Sequence, residues 1–204
     1  EGVRCETRPF FKYDMVDFNK KIVNSNKFVA ALNFINTGSY CNFPESTSEY
    51  FKFWDEESKR CVDGYTADDG DFISGYNYFY LNYCPISRIV NRITTDESGN
   101  TKVKRVNEVT FPDSGIMTIT ILMRIGGSRI GKHLCLLKSR RKGFSYKGGS
   151  MACRNFYLIP YSKTFIYASN KQYLTDDGIL TKAWDYMDFI DKNTAWGKKR
   201  SVNT

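Results

Sequence analysis

The sequence predicts an α/β fold in which a partial parallel sheet follows a helical and β-hairpin appendage. The prediction depends on the order of elements after residue 132. Residues 133–137 are a short apolar run of strand length, a basic loop follows, and a helical pattern begins after Gly143. Residues 164–168 (TFIYA) then have the composition of a buried strand. A strand, a helix and a second strand in this order imply a right-handed βαβ unit with parallel strands.

Composition limits the class of protein. The chain has 204 residues, a formal charge of +8 and a pI near 9.1, which favours a polyanionic partner, although solubility alone also explains a basic surface. Six cysteines without a C-x-x-C pair, together with a single histidine, argue against zinc and for a reduced, intracellular protein. No apolar run is long enough to cross a membrane, and no signal peptide is visible.

The first half of the chain reads as the appendage. Residues 14–34 have helical spacing, and residues 46–49 (STSE) form a capping-box signature for a helix that Gly64 ends. We expect Glu56 and Glu57 on this helix to be solvated, because adjacent carboxylates point to different sides. Residues 87–94 and 101–110 predict a hairpin with several cations, which suits either a DNA contact or a charged sheet edge.

Two further segments predict packing. Residues 75–86 (GYNYFYLNYCPI) are rich in aromatics, which favour a core or an interface, although aromatics can also stack on bases or an adenine ring. Residues 116–125 suit a strand or a helix. Thr175 is a predicted cap for a last helix with an apolar inner face, made of Leu180, Ala183, Trp184, Met187 and Ile190.

The loop between the predicted strand and helix has the chemistry of a phosphate-binding loop. It reads KSRRKGFS over residues 138–145, so Phe144 stands where G-x-x-x-x-G-K-[ST] has its lysine, and Lys138 lies at the front instead. Ser145 keeps the hydroxyl position that binds Mg²⁺. The alternative is a basic surface loop without a ligand. Residues 126–132 match the spacing better, but no predicted helix follows them.

Three segments together resemble the N-terminal ATPase part of tailed-phage terminase large subunits, the motors that pump double-stranded DNA into procapsids. The segments are GYNYFYLNYCPI, GKHLCLLKSRRKGFSYKGGS and FIYASNKQYLTDDGILTKAWDYMDFID. The resemblance covers most of residues 45–196 and implies a P-loop NTPase-type fold. Residues 1–115 would be the appendage that leads into the ATPase, and residues 116–204 the first portion of the ATPase domain.

The resemblance also implies roles for particular residues. Lys138 would contact the phosphates of ATP, Gly143 would allow close backbone approach, and Ser145 would hold Mg²⁺. Arg140 or Arg141 would act as an arginine finger. Ser139, Lys142 and Phe144 complete the nucleotide-binding loop, and Tyr78 and Tyr80 are candidates for the adenine contacts.

Two features that the resemblance implies are not recognisable in this sequence. The family has an acidic Walker B strand and a nuclease domain, which we expect to lie outside this sequence, so we expect the chain to bind Mg-ATP but not to hydrolyse it efficiently. The implied partners are double-stranded DNA, a portal protein, a small terminase subunit and further copies in a ring, in the host cell cytoplasm.

The competing hypothesis is a non-enzymatic nucleic-acid-binding module that uses the same basic loop and hairpin. A helicase-type ATPase shares the loop and would differ beyond Thr204.

Overall fold

The computed structural model describes residues 28–68, 70–95, 101–111, 137, 143–176 and 178–200. These residues mix helices with two small antiparallel sheets. The helices are α1 (Val29–Thr37), α2 (Ser48–Asp63), α3 (Gly75–Tyr83), α4 (Phe144–Leu158), α5 (Gln172–Thr175) and α6 (Ile179–Asn193). The strands are β1 (Tyr65–Thr66), β2 (Phe72–Ile73), β3 (Ile86–Thr95) and β4 (Thr101–Thr110), paired as β1 with β2 and β3 with β4.

Helix α2 ends before Gly64 as the sequence predicts, but its N-cap is Thr47, one residue after the Ser46 that the capping box places there. The Thr47 hydroxyl accepts a hydrogen bond from the Tyr50 N–H at 3.3 Å, which satisfies one donor of the first turn. Gly64 follows the last turn with a φ of 107°, a conformation that favours glycine. A Cβ at this position would also lie 2.7 Å from the Ile73 carbonyl oxygen. The tight turn into β1 therefore depends on the glycine.

Helix α3 is the centre of the core, as its aromatic composition predicts. All of its residues except Tyr76 are buried. The Asn82 side chain connects this helix to α1, since its Oδ1 accepts from the Ala31 N–H at 3.0 Å. The backbone oxygen of Asn82 accepts from the hydroxyl of Tyr40, which follows α1, at 2.7 Å. Asn82 thus satisfies an early N–H of α1, where Phe28 at the N-cap has no side-chain acceptor.

One aromatic core joins both ends of the described chain. The ring of Tyr83 lies 4.6 Å from that of Tyr40 and 4.7 Å from that of Trp196, centroid to centroid. The Trp196 indole N–H donates to the Ser58 hydroxyl on α2 at 2.8 Å. Residues on both sides of the predicted boundary at residue 115 therefore share this core. The division into an appendage and an ATPase portion stays a prediction.

Helix α4 is confirmed, whereas the last helix begins later than predicted. Thr175 ends the short α5, and α6 follows with Gly178 at its N-cap. A Cβ at Gly178 would lie 1.9 Å from the Tyr173 carbonyl oxygen, so the sharp turn between the two helices needs glycine. Ala183 and Ile190 are buried as predicted, and Tyr186 joins them at 1% exposure, whereas Leu180, predicted on the same inner face, is exposed at 36%.

The predicted strand at residues 164–168 is wrong. This segment has no regular secondary structure, and its aromatic side chains are exposed. A β-branched, apolar run becomes a strand only where another strand pairs with it. The described sheets are both antiparallel and two-stranded, so a parallel P-loop sheet is not shown. The predicted elements at 14–27, 116–125, 126–132 and 133–136 lie outside the described residues.

The predicted hairpin is confirmed as β3 and β4, ten residues each, with Ile86 opposite Thr110 and Thr95 opposite Thr101. Cys61, Cys84 and Cys153 are buried free thiols. Among the described residues, no helix has the length and hydrophobicity that spanning a bilayer requires.

Candidate nucleotide-binding site

The start of α4 is the part of the predicted phosphate loop that the structure describes. Gly143 occupies the N-cap in the left-handed conformation, with φ 68° and ψ 18°, which a glycine adopts without steric cost. The Lys147 N–H then donates to the Gly143 carbonyl at 3.2 Å and closes the first turn. In any helix the first N–H groups have no acceptor within the helix and point back along its axis, so this end of α4 attracts anions.

Ser145 lies on a surface cavity of about 520 Å³ at this end of the helix. The opposite wall comes from the segment that leads from α4 to α6, and it includes Tyr167, Tyr173 and Asp176. The volume is within the range of small-molecule sites, which is roughly 300–1,000 Å³. The cavity thus brings together a hydroxyl, a carboxylate and two aromatic rings at a helix N-terminus.

Close contact between α4 and α6 fixes the position of this helix start. A Cβ at Gly149 would lie 2.9 Å from the Ala183 backbone nitrogen, so the two helix backbones nearly touch there. One turn away, the Lys182 ammonium lies 4.7 Å from the centroid of the Tyr146 ring, a cation–π contact. Ile179, which lines the cavity, is thus packed against α4 beside Gly148.

The remaining residues of the predicted loop cannot be placed. Lys138, Ser139, Arg140, Arg141 and Lys142 lie outside the described residues, whereas Gly143, Phe144 and Ser145 are half-buried at the start of α4. Their predicted roles toward phosphate stay predictions.

The predicted adenine contacts are corrected by the structure. Tyr78 is fully buried and Tyr80 is 3% exposed, because α3 is surrounded by the core. Tyr78 also has its hydroxyl engaged by Glu57 and its ring 5.4 Å from that of Tyr65. Neither ring is on a surface where an adenine could stack. Tyr167 and Tyr173, which the sequence did not single out, are the aromatic side chains that line the cavity.

Glu57 was expected to be solvated, and this expectation is wrong. Its side chain is 2% exposed and accepts hydrogen bonds from the Tyr83 hydroxyl at 2.6 Å, the Tyr78 hydroxyl at 3.0 Å and the Arg60 guanidinium at 2.6 Å. Burial, and then the nearby Glu57 carboxylate, raise the pKa of Tyr78 and of Tyr83. Glu57 is enclosed by these donors and has a structural role, whereas its neighbour Glu56 is exposed as predicted.

A second buried charge, Arg154, connects α4 to the end of α2. Its Nε donates to the Cys61 carbonyl at 2.7 Å and its Nη2 to the Val62 carbonyl at 3.2 Å. These carbonyls belong to the last turn of α2, where cations are favourable. The guanidinium also lies 3.8 Å from the centroid of the Tyr76 ring. Burial lowers the pKa of Arg154, but a guanidinium keeps its charge at physiological pH.

Oxygen-bearing side chains on the cavity fit Mg²⁺ better than they fit a transition metal. Ser145 and Asp176 offer a hydroxyl and a carboxylate, the donors that Mg²⁺ prefers when phosphate oxygens complete its shell. No group of three or more His, Cys, Asp or Glu side chains that could hold a metal by itself occurs within the described part of the chain.

Comparison with known proteins identifies no relative. No family model matches the chain, and no curated protein or solved structure is significantly similar to it.

Proposed function

We propose that this chain is the ATPase part of a tailed-phage terminase large subunit and binds Mg-ATP at the loop of residues 138–145. One observation carries the proposal. The cationic segment KSRRK leads through a left-handed Gly143 directly into the N-terminus of α4, with Ser145 on a cavity of nucleotide size. A glycine turn between cations and a helix start is the arrangement that phosphate-binding loops use.

Each residue has a chemical part in this proposal. The Lys138 ammonium and the first N–H groups of α4 bind phosphate oxygens, and Arg140 or Arg141 stabilises charge that develops on the γ-phosphate. The Ser145 hydroxyl, with Asp176 on the same cavity, would hold Mg²⁺. When bound, Mg²⁺ neutralises charge on the β- and γ-phosphate oxygens.

The proposed biological role is DNA translocation in the host cell cytoplasm. The intact motor would be docked on a portal protein, would work with a small terminase subunit and would form a homo-oligomeric ring. Its basic surfaces would bind the phosphates of double-stranded DNA without contacts that depend on the base sequence. Because such binding is electrostatic, the DNA affinity should fall steeply as the salt concentration rises. Efficient hydrolysis would need an acidic strand of the kind that the terminase resemblance implies.

The test is equilibrium binding of a fluorescent ATP analogue, with and without Mg²⁺. Lys138→Ala should weaken binding by about tenfold or more, since a charged hydrogen bond contributes ~1.5–3 kcal/mol. Ser145→Ala should remove the dependence on Mg²⁺. The matched controls are Lys52→Ala and Ser46→Ala, both at exposed positions that do not line the cavity. If the site variants bind the analogue like their controls, the proposed site is wrong.

The second candidate function is a non-enzymatic nucleic-acid-binding module. Its support is the hairpin, where Lys102 is exposed on the long β4 strand. In this case Ser145→Ala would leave DNA binding unchanged, and no variant of the chain would bind the ATP analogue in a way that depends on Mg²⁺.

A further inference from the structure

Three aromatic side chains between α4 and α6 are unusually exposed. Phe165 is 72% exposed, Tyr167 is 88% exposed and Tyr173 is 58% exposed. Large apolar side chains that are exposed singly need no explanation, whereas a contiguous set on one surface indicates a binding site. Tyr167 and Tyr173 line the same cavity, and Phe165 contacts Tyr167, so the three belong to one surface.

The geometry of this surface suits planar ligands. Phe165 and Tyr167 are two residues apart in an irregular segment, and their rings are almost parallel, with an interplanar angle of 17° and centroids 6.5 Å apart. This separation is about twice the ~3.4 Å step between stacked bases. Rings at such a spacing can contact one inserted base or two neighbouring bases. Tyr173 adds a third ring on the side of the cavity.

The charge of the surrounding sequence indicates an anionic ligand. Between Ser114 and Thr175 the chain has no Asp or Glu and has eleven Lys and Arg residues. Lys163 and Lys171, which flank Phe165 and Tyr167 in sequence, are exposed. Aromatic rings between cations are the combination that binds single-stranded nucleic acid. Among the described residues that line the cavity, Asp176 is the one carboxylate.

We infer that Phe165, Tyr167 and Tyr173 form a stacking surface for the bases of single-stranded nucleic acid. In a duplex the base faces already stack on one another, so they are not available to these rings, whereas a single strand presents them. Phosphates of the strand would lie near Lys163 and Lys171. This inference goes beyond the proposed ATP site: Tyr167 and Tyr173 line the same cavity as Ser145, but none of the three rings belongs to the loop of residues 138–145.

The test is fluorescence anisotropy of a labelled oligothymidylate with the full chain at fixed salt. Phe165→Ala and Tyr167→Ala should each weaken binding by about fivefold or more, the loss expected when one stacked base is released. Tyr167→Trp should bind at least as well as the parent chain, unlike Tyr167→Ala, since a larger ring keeps the stacking. Phe51→Ala is the matched control, because Phe51 is a 65% exposed ring on α2 and should not affect the affinity.

A duplex of the same length separates stacking from simple charge attraction. The aromatic variants should leave duplex binding nearly unchanged, whereas Lys163→Ala should weaken both ligands and reduce their salt dependence. The inference is overturned if Phe165→Ala and Tyr167→Ala bind the oligothymidylate as Phe51→Ala does, or if they weaken duplex binding equally. It is also overturned if sedimentation shows a dimer that these variants dissociate, because the rings would then form an interface between copies.

Discussion

Glu57 is a buried carboxylate whose charge is compensated by hydrogen bonds from its neighbours. A buried charge is tolerated only when donors surround it, and here two phenols and one guanidinium do so. The donors come from α2 and α3, so the carboxylate also fixes how these two helices pack. Its position three residues before Arg60 puts both on one side of α2.

Replacing Glu57 by Gln should lower the free energy of unfolding by about 2–4 kcal/mol, because an amide is a weaker acceptor and its NH₂ group faces other donors. Urea denaturation measures this change. Glu56→Gln is the control one residue away, and it should stay within about 0.5 kcal/mol of the parent because Glu56 is exposed. Equal midpoints for the two variants would show that the Glu57 network adds nothing to stability.

At the scale of elements, the crossing of α4 and α6 depends on a pair of glycines with different surroundings. A Cβ at Gly149 would approach backbone atoms, with the Ala183 nitrogen at 2.9 Å. A Cβ at Gly148 would meet only the side chain of Ile179, at 3.3 Å, and that side chain can move. Alanine is otherwise favoured over glycine in a helix by about 1 kcal/mol.

Gly149→Ala should therefore destabilise the protein by roughly 1–3 kcal/mol, since overpacking outweighs the gain in helix propensity. Gly148→Ala is the matched control and should be neutral or stabilising. Thermal unfolding of the two variants beside the parent distinguishes them. A stabilised Gly149→Ala would mean that the helices do not cross at this residue.

The elements that the sequence predicted well are those with local signals. The end of α2 at Gly64 and the hairpin follow from short-range chemistry and are confirmed, whereas the N-cap of α2 is one residue later than the capping box predicts. The strand at residues 164–168 was wrong because pairing is not encoded in the segment itself. The burial of Glu57 was missed because its donors Tyr78 and Tyr83 are more than twenty residues away along the chain.

For the molecule as a whole, buried phenols and thiols make the free energy of unfolding depend on pH. Burial is the main cause that raises the pKa of Tyr40, Tyr83 and Tyr186, and it does the same for Cys61 and Cys84. The folded chain keeps these protons at a pH where the unfolded chain loses them. Since the unfolded state then binds fewer protons, the free energy of unfolding must fall as pH rises.

The urea midpoint should accordingly be constant near neutral pH, begin to fall at about pH 9 as thiols ionise in the unfolded chain, and fall more steeply above about pH 10. Tyr83→Phe, which has one such phenol fewer, should show a shallower decline than the parent. A midpoint that does not change with pH over this range would contradict the burial of these groups.

The candidate site was only partly predictable from the sequence. The turn at Gly143, the helix after it and the position of Ser145 follow from local patterns. The cavity wall was not predictable, because Tyr167, Tyr173 and Asp176 meet Ser145 only through the packing of α6 against α4. Tyr78 and Tyr80 were chosen for their aromatic rings, and a ring alone does not distinguish a core residue from a ligand contact.

Hydrogen–deuterium exchange with a non-hydrolysable ATP analogue tests most directly whether the start of α4 binds phosphate. We expect Mg²⁺ and the analogue together to slow exchange of the amides of Phe144, Ser145 and Tyr146, and we expect Ser145→Ala to abolish this protection. Amides in the middle of α2 serve as the internal reference and should not change. Binding of the analogue without protection at the start of α4 would contradict the proposed site.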